Sequence, residues 1–175
     1  MDLLKSTNDP RLSLIGTVCE DPTISVQAGS DFQYGDSAPA VQKGLPSGFS
    51  DSPDSPWFVG NKYPEFKDED YRSTYRSRYS TINRYTYSDP TGPTFVCTYA
   101  QTQLLLAEAA VRGWVDGSAQ TYYENGVRAA MRQFAQFPNG TALYNQYLTQ
   151  AAIDRYLTEN PFNASKALEQ INTQY

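Results

Sequence analysis

The chain has 175 residues, a formal net charge of -5 and no histidine. That length supports one domain with a real core, burying roughly 70% of its unfolded surface. The acidic balance gives no footprint for a phosphate backbone, since the lysines and arginines between Lys62 and Arg84 are interleaved with Glu65, Asp68, Glu69 and Asp70. Nucleic-acid binding is disfavoured. Without histidine the commonest general base, nucleophile activator and metal ligand are missing together, so most hydrolase chemistry is hard to build.

In chain order, the first half to about residue 97 is rich in Gly, Pro, Ser, Asp and Tyr and reads as a loop-rich segment. Short extended pieces are expected at residues 11–17 and 24–26. The pairs Asp9-Pro10, Asp21-Pro22, Ser52-Pro53, Ser55-Pro56 and Asp89-Pro90 mark turns. No apolar run approaches bilayer length, and Met1-Asp2-Leu3-Leu4-Lys5 lacks the parts of a signal peptide. The two cysteines, Cys19 and Cys97, cannot form a structural zinc site. They are expected as two buried thiols, with one disulfide the most their number allows.

From residue 98 the composition turns to Ala, Leu, Gln and Glu, and helices are expected at 98–112, 117–136, 141–158 and 163–174. Gly113 stands at the first stop, and Asp116, Gly117 and Ser118 supply turn and cap chemistry. Small residues at Ala107, Ala119 and Gly126, with the bulky Tyr123 between them, match the seam of a tetratricopeptide-like helix pair. The fold class is therefore mainly α, with tetratricopeptide-like helix hairpins and a long irregular segment packed on them. Two antiparallel hairpins are expected, with Trp114 in the core at the first turn. Asn163 or Ser165 can cap the last helix. That helix keeps an apolar stripe of Ala167, Leu168 and Ile171, which implies an open edge or a homodimer through it.

The wording of the helical block goes beyond its period. YAQTQLLLAEAAVRGW followed by YYENGVRAAM resembles the SusD/RagB family of Bacteroidetes glycan-binding lipoproteins, in which a helix reading LLxAEAAxRG precedes a YYxxGIRA-like helix. Asp9-Pro10-Arg11, Lys43-Gly44-Leu45-Pro46-Ser47-Gly48 and the run from Ala167 to Gln174 follow in the order the resemblance requires. It implies a cell-surface outer-membrane protein that binds oligosaccharide or polysaccharide without cleaving it. It also implies delivery to a SusC-like TonB-dependent transporter. Family members are longer, so the resemblance also implies a fragment whose membrane anchor lies outside these residues.

Sugar recognition needs aromatic faces for the apolar side of pyranose rings and planar polar groups for the hydroxyls. The loop half carries both, with Trp57, Tyr63, Phe66 and Tyr71 accompanied by Asn61 and Arg72 as the ligand-binding candidates. Trp57 has an equal alternative as an anchor that pins the loop to the helices. The acids Glu65, Asp68, Glu69 and Asp70 lack any sign of the apolar pocket that a glycosidase acid requires and read as a solvated face. Glu108 reads as a helix-surface residue. Asn139 and Asn163 read as turn and cap rather than glycosylation sites. No catalytic residue, metal site or cofactor is expected. The alternative function is a tetratricopeptide-like protein-interaction module whose aromatics are structural.

Overall fold

The computed structural model describes residues 1–19, 34–44 and 79–175. Among these, the chain opens with a short helix α1 (Asp2–Ser6), a helical turn α2 (Leu12–Ile15) and a strand β1 (Gly16–Cys19). Strands β2 (Tyr34–Asp36) and β3 (Thr81–Ile82) follow, and β1 lies between them in a small antiparallel sheet of order β2-β1-β3. Val18 faces Asp36 across one ladder and Gly16 faces Ile82 across the other. The remainder is helical: α3 (Tyr99–Val111), α4 (Ala119–Arg132), α5 (Thr141–Tyr147), α6 (Gln150–Glu159) and α7 (Ala167–Gln174). The mainly helical fold expected from the sequence is the one observed.

Residues 11–17 are only partly extended. The Asp9 carboxylate accepts from the Arg11 amide at 2.9 Å and its carbonyl from the Leu12 amide at 3.1 Å. This starts a helical turn that carries Leu12 and Leu14 into the interior before the strand begins. Pro10 suits that first turn because it needs no donor there.

The α3–α4 hairpin forms as the pattern requires. Thr98 and Gln101 make a reciprocal capping box, with bonds of 3.1 Å and 3.0 Å. Gly113, at φ 71°, ends α3 in the left-handed conformation that glycine adopts without cost. Ser118 caps α4 by accepting from the Thr121 amide. At the seam, a Cβ added to Gly126 would stand 2.9 Å from the Leu104 side chain and 3.3 Å from the Ala100 carbonyl oxygen. The two backbones are that close because position 126 has no side chain. Ala107, Tyr123 and Val127 are buried beside it.

Four expectations need correction. The third helix does not run unbroken over 141–158: it divides at Leu148, which is buried, and Thr149 recaps the chain by accepting from the Ala152 amide at 3.2 Å. A Thr three residues before an amide it can cap ends one helix as readily as it starts another. Trp114 is not core but 72% exposed, because the turn framed by Gly113 and Gly117 carries it past the ends of both helices. The Arg112 guanidinium covers its ring at 5.2 Å instead. Cys97 is a free, exposed thiol rather than a buried one. Finally, the stripe on α7 is only partly open: Ala167 and Ile171 are buried and α7 packs against α3, while Leu168 stays exposed.

Among the described residues, α3 and its flanks carry exposed apolar side chains at Val96, Tyr99, Leu105 and Trp114. Below it a continuous core joins Leu14, Leu104, Val127, Met131, Phe134, Phe137, Ile153 and Ile171. Tyr87, Phe95 and Phe134 each set a ring edge-on or tilted against Phe137, tying residues 87–95 to the end of α4. Buried polar side chains pin the loops. Gln42 donates to the Asp36 and Ala38 carbonyls, and Thr86 donates to the Leu14 carbonyl at 2.5 Å.

Two measurements check this packing. Gly126→Leu should overpack the hairpin and lower the unfolding free energy by about 1–3 kcal/mol, read from a urea transition. Burial pushes the Tyr123 phenol up to about 12 from 10.0, so it stays neutral when folded at a pH where the unfolded chain ionises. Its contribution is complete below pH 10 and is lost as the pH rises toward 12. Tyr123→Phe should make the alkaline loss of stability shallower over that interval.

Candidate functional site

The ligand-binding candidates Trp57, Asn61, Tyr63, Phe66, Tyr71 and Arg72 lie outside the described residues, as do the acids Glu65, Asp68, Glu69 and Asp70. Of the other residues weighed from sequence, Glu108 is paired along the surface of α3 with Arg112 at 2.8 Å. Asn139 donates to Asp89 at 2.9 Å, and Asn163 caps a short helical turn through the Ser165 amide. All three serve local structure.

A cleft of about 940 Å3 lies between the N-terminal turn and the α5–α6 break. One wall comes from α1 and the residues after it. There Asn8 adopts a left-handed φ of 51° just past the helix end, a position that asparagine tolerates better than other side chains. Its amide leans toward Glu159 at 3.4 Å. The facing wall comes from the break itself, with Gln146 and Tyr147 before it and Thr149, Ala151 and Ala152 after it. Pro39 and Ala40 close one end, while Lys5, Arg155 and Glu159 bring charge to the lining. Burial, then the nearby Asp36 charge, raises the Tyr147 phenol above its ordinary range, so it stays a neutral hydroxyl. Ser13, wholly buried and part of the lining, has a hydroxyl with no hydrogen-bond partner.

Behind the cleft lies a buried ion pair. Asp9 is 3% exposed, and the Arg11 fork grips it through Nε at 2.9 Å and 3.0 Å and through Nη2 at 2.5 Å. The same Nη2 donates to Gln174 at 2.8 Å, and Gln174 donates to the Tyr156 hydroxyl at 3.0 Å. The guanidinium also sits 5.7 Å from the Tyr156 ring centroid. Burial, then the Asp9 charge, raises the Tyr156 phenol. This constellation holds the Asp9 carboxylate as a structural acceptor.

Amides, hydroxyls and one tyrosine thus line the cleft. Among the described residues no group of three or more His, Cys, Asp or Glu could hold a metal ion, and no helix is long and apolar enough to cross a membrane. Its residues escape a sequence reading because they come from separated segments. The nearest sequence signals are the Asn8-Asp9-Pro10 turn and the Thr149 cap.

All 175 residues match the SusD-like family, described as starch-binding and associating with the outer membrane, and the chain belongs to that family. A chitin-binding protein of known structure is similar to it at 31% identity, with a TM-score of 0.59 over 99% of this chain and 31% of its own. A SusD homologue from Bacteroides fragilis is 26% identical, with a TM-score of 0.61, 99% of this chain covered and 34% of its own. A SusD-like protein of Bacteroidetes, at 24% identity and a TM-score of 0.68, shares the fold over 99% of this chain and 37% of its own. The chain thus spans about a third of the length of these structures. No curated protein matches the sequence.

Arg11→Met should strand the Asp9 carboxylate in the interior and lower stability by about 3 kcal/mol, which a denaturant midpoint will read.

Proposed function

We propose that the chain is part of a non-catalytic outer-membrane protein that binds glycan at the cell surface and passes it to a TonB-dependent transporter. The observation that carries this reading is the full-length match to a family described as starch-binding. The likeness to a chitin-binding protein at 31% identity supports the same ligand class. A non-catalytic role is supported by the absence of histidine and by the capture of Asp9 in an ion pair. In this reading Trp57, Tyr63, Phe66 and Tyr71 supply stacking surfaces, and Asn61 and Arg72 bond to hydroxyls.

The exposed apolar face of α3 supports a second reading, a tetratricopeptide-like module that binds a protein and leaves the glycan to other parts of the molecule. The two are separated by measuring glycan binding directly. Trp57→Ala should weaken binding of starch or chitin oligosaccharides in affinity gels by about thirtyfold, the cost of deleting one aromatic anchor of on the order of 2 kcal/mol. Helical circular dichroism should be unchanged. Loss of the fold in that variant would make Trp57 a loop anchor, and undiminished binding would move the site elsewhere.

A further inference from the structure

Helix α3 carries apolar residues on two opposite sides. At about 100° per residue, Ala100, Leu104 and Ala107 share the side that packs on α4 and are buried, while Tyr99, Thr102, Leu105, Leu106 and Ala109 fall on the other. Their spacing of three and four residues is that of a helix-packing seam. A helix apolar on both sides is ordinarily covered on both. Here Tyr99 and Leu105 stand 64% and 53% exposed, Thr102 is exposed, and Leu106 and Ala109 are half-buried.

This second seam is its own complement when turned end for end. With a two-fold axis set between Leu105 and Leu106, an antiparallel copy brings Leu105 against Leu106, Thr102 against Ala109 and Tyr99 against Arg112. The first pair joins two branched apolar side chains. The second joins two small ones, which lets the helices approach to about 8–10 Å. The third sets a guanidinium against an aromatic ring, a contact that Arg112 already makes with Trp114 at 5.2 Å. A closed two-fold interface has to be self-complementary in this way, whereas a face for an unrelated protein need not be.

Charge agrees with that occupant. Glu108 and Arg112 are the charged residues of α3 and its C-terminal cap, and they cancel each other at 2.8 Å. The face therefore gives an oppositely charged protein no hold, and it imposes no like-charge contact on two chains that each carry -5. Thirteen residues at 1.5 Å each give a contact about 20 Å long, with Val96 and Trp114 exposed beyond its ends. That size suits a weak, concentration-dependent pair at the low end of specific interfaces.

We propose that the partner of this face is a second copy of the chain, joined through antiparallel α3 helices across a two-fold axis. The proposal rests on the protein-interaction reading and names its partner.

The test is sedimentation velocity of the 175-residue chain from about 1 to 200 µM, the range in which a weak pair forms and dissociates. The expected result is a monomer at the low end and a dimer at the high end. Leu105→Glu should raise the midpoint concentration by about tenfold or more. Leu168→Glu, on the exposed part of α7, should leave it in place. Register is read by charge: Thr102→Glu and Ala109→Lys should each weaken self-association, and an equimolar mixture of the two should restore it, because the antiparallel copy sets position 102 against 109. Melting of each variant at low concentration controls for folding, and if Leu105→Glu fails to fold in a chain that dimerises, the charge pair alone decides. A parent chain that stays monomeric throughout overturns the self-pairing, as does a dimer indifferent to Leu105→Glu or a mixture that restores nothing. With a monomeric parent, unchanged melting of Leu105→Glu leaves the protein-interaction reading standing with a different partner, whereas a lowered melting temperature makes Leu105 structural and overturns that reading too.

Discussion

The ion pair between Asp9 and Arg11 is the interaction on which the described fold turns. Two charges taken from water are costly, and their mutual attraction compensates only if every remaining donor and acceptor is matched. Here they are matched closely: the carboxylate takes a backbone amide and the Nε and Nη2 donors of the guanidinium, and the same Nη2 also donates to Gln174. Gln174 then fixes Tyr156. One short segment, Asp9-Pro10-Arg11, thus sets where α2 begins, where α7 lies and how α6 presents its buried tyrosine. The motif is structural in this chain, and its geometry places the N-terminal turn opposite the α5–α6 break.

From that placement the site follows. The Thr149 cap interrupts what would be one long helix, turning Leu148 inward and leaving Gln146 and Tyr147 on one side of a step and Ala151 and Ala152 on the other. A straight helix would present a closed ridge to the N-terminal turn. The broken one leaves a hollow whose floor contains Ser13. The polar anchors Asn83 and Thr86 donate to the Ser13 and Leu14 carbonyls and so fix the backbone of this floor.

How much of this is legible in sequence depends on the range of the interactions. The α3–α4 hairpin can be read because its signals are local: the stop at Gly113, the turn and cap residues Asp116, Gly117 and Ser118, and small residues spaced along a seam. The family wording of the same block adds its identity. What cannot be read is set by tertiary context. Trp114 looks like core from its apolarity, yet the turn geometry of Gly113 and Gly117 takes it outside, where Arg112 shields it. Leu105 and Tyr99 belong to a helix that is apolar on nearly all sides, so periodicity alone does not say which face turns inward; Ala100, Leu104 and Ala107 do. The cleft is harder still, since Asn8, Ser13 and Gln146 are brought together only by the fold. The six sugar-contact candidates between Trp57 and Arg72 belong to residues for which sequence chemistry is the whole argument.

The bonds that close the structure also constrain the order in which it can form. Asn160 reaches the Thr7 carbonyl across 153 positions, and Arg11 reaches Gln174 across 163. Contacts of such separation repay their loop-closure entropy late, after local elements such as the α3–α4 hairpin are in place. During synthesis the hairpin can assemble as soon as its two helices have emerged, whereas the Asp9–Arg11 pair must wait, hydrated, for α6 and α7 to cover it. The N-terminal turn therefore depends on side chains from the far end of the chain for its closure.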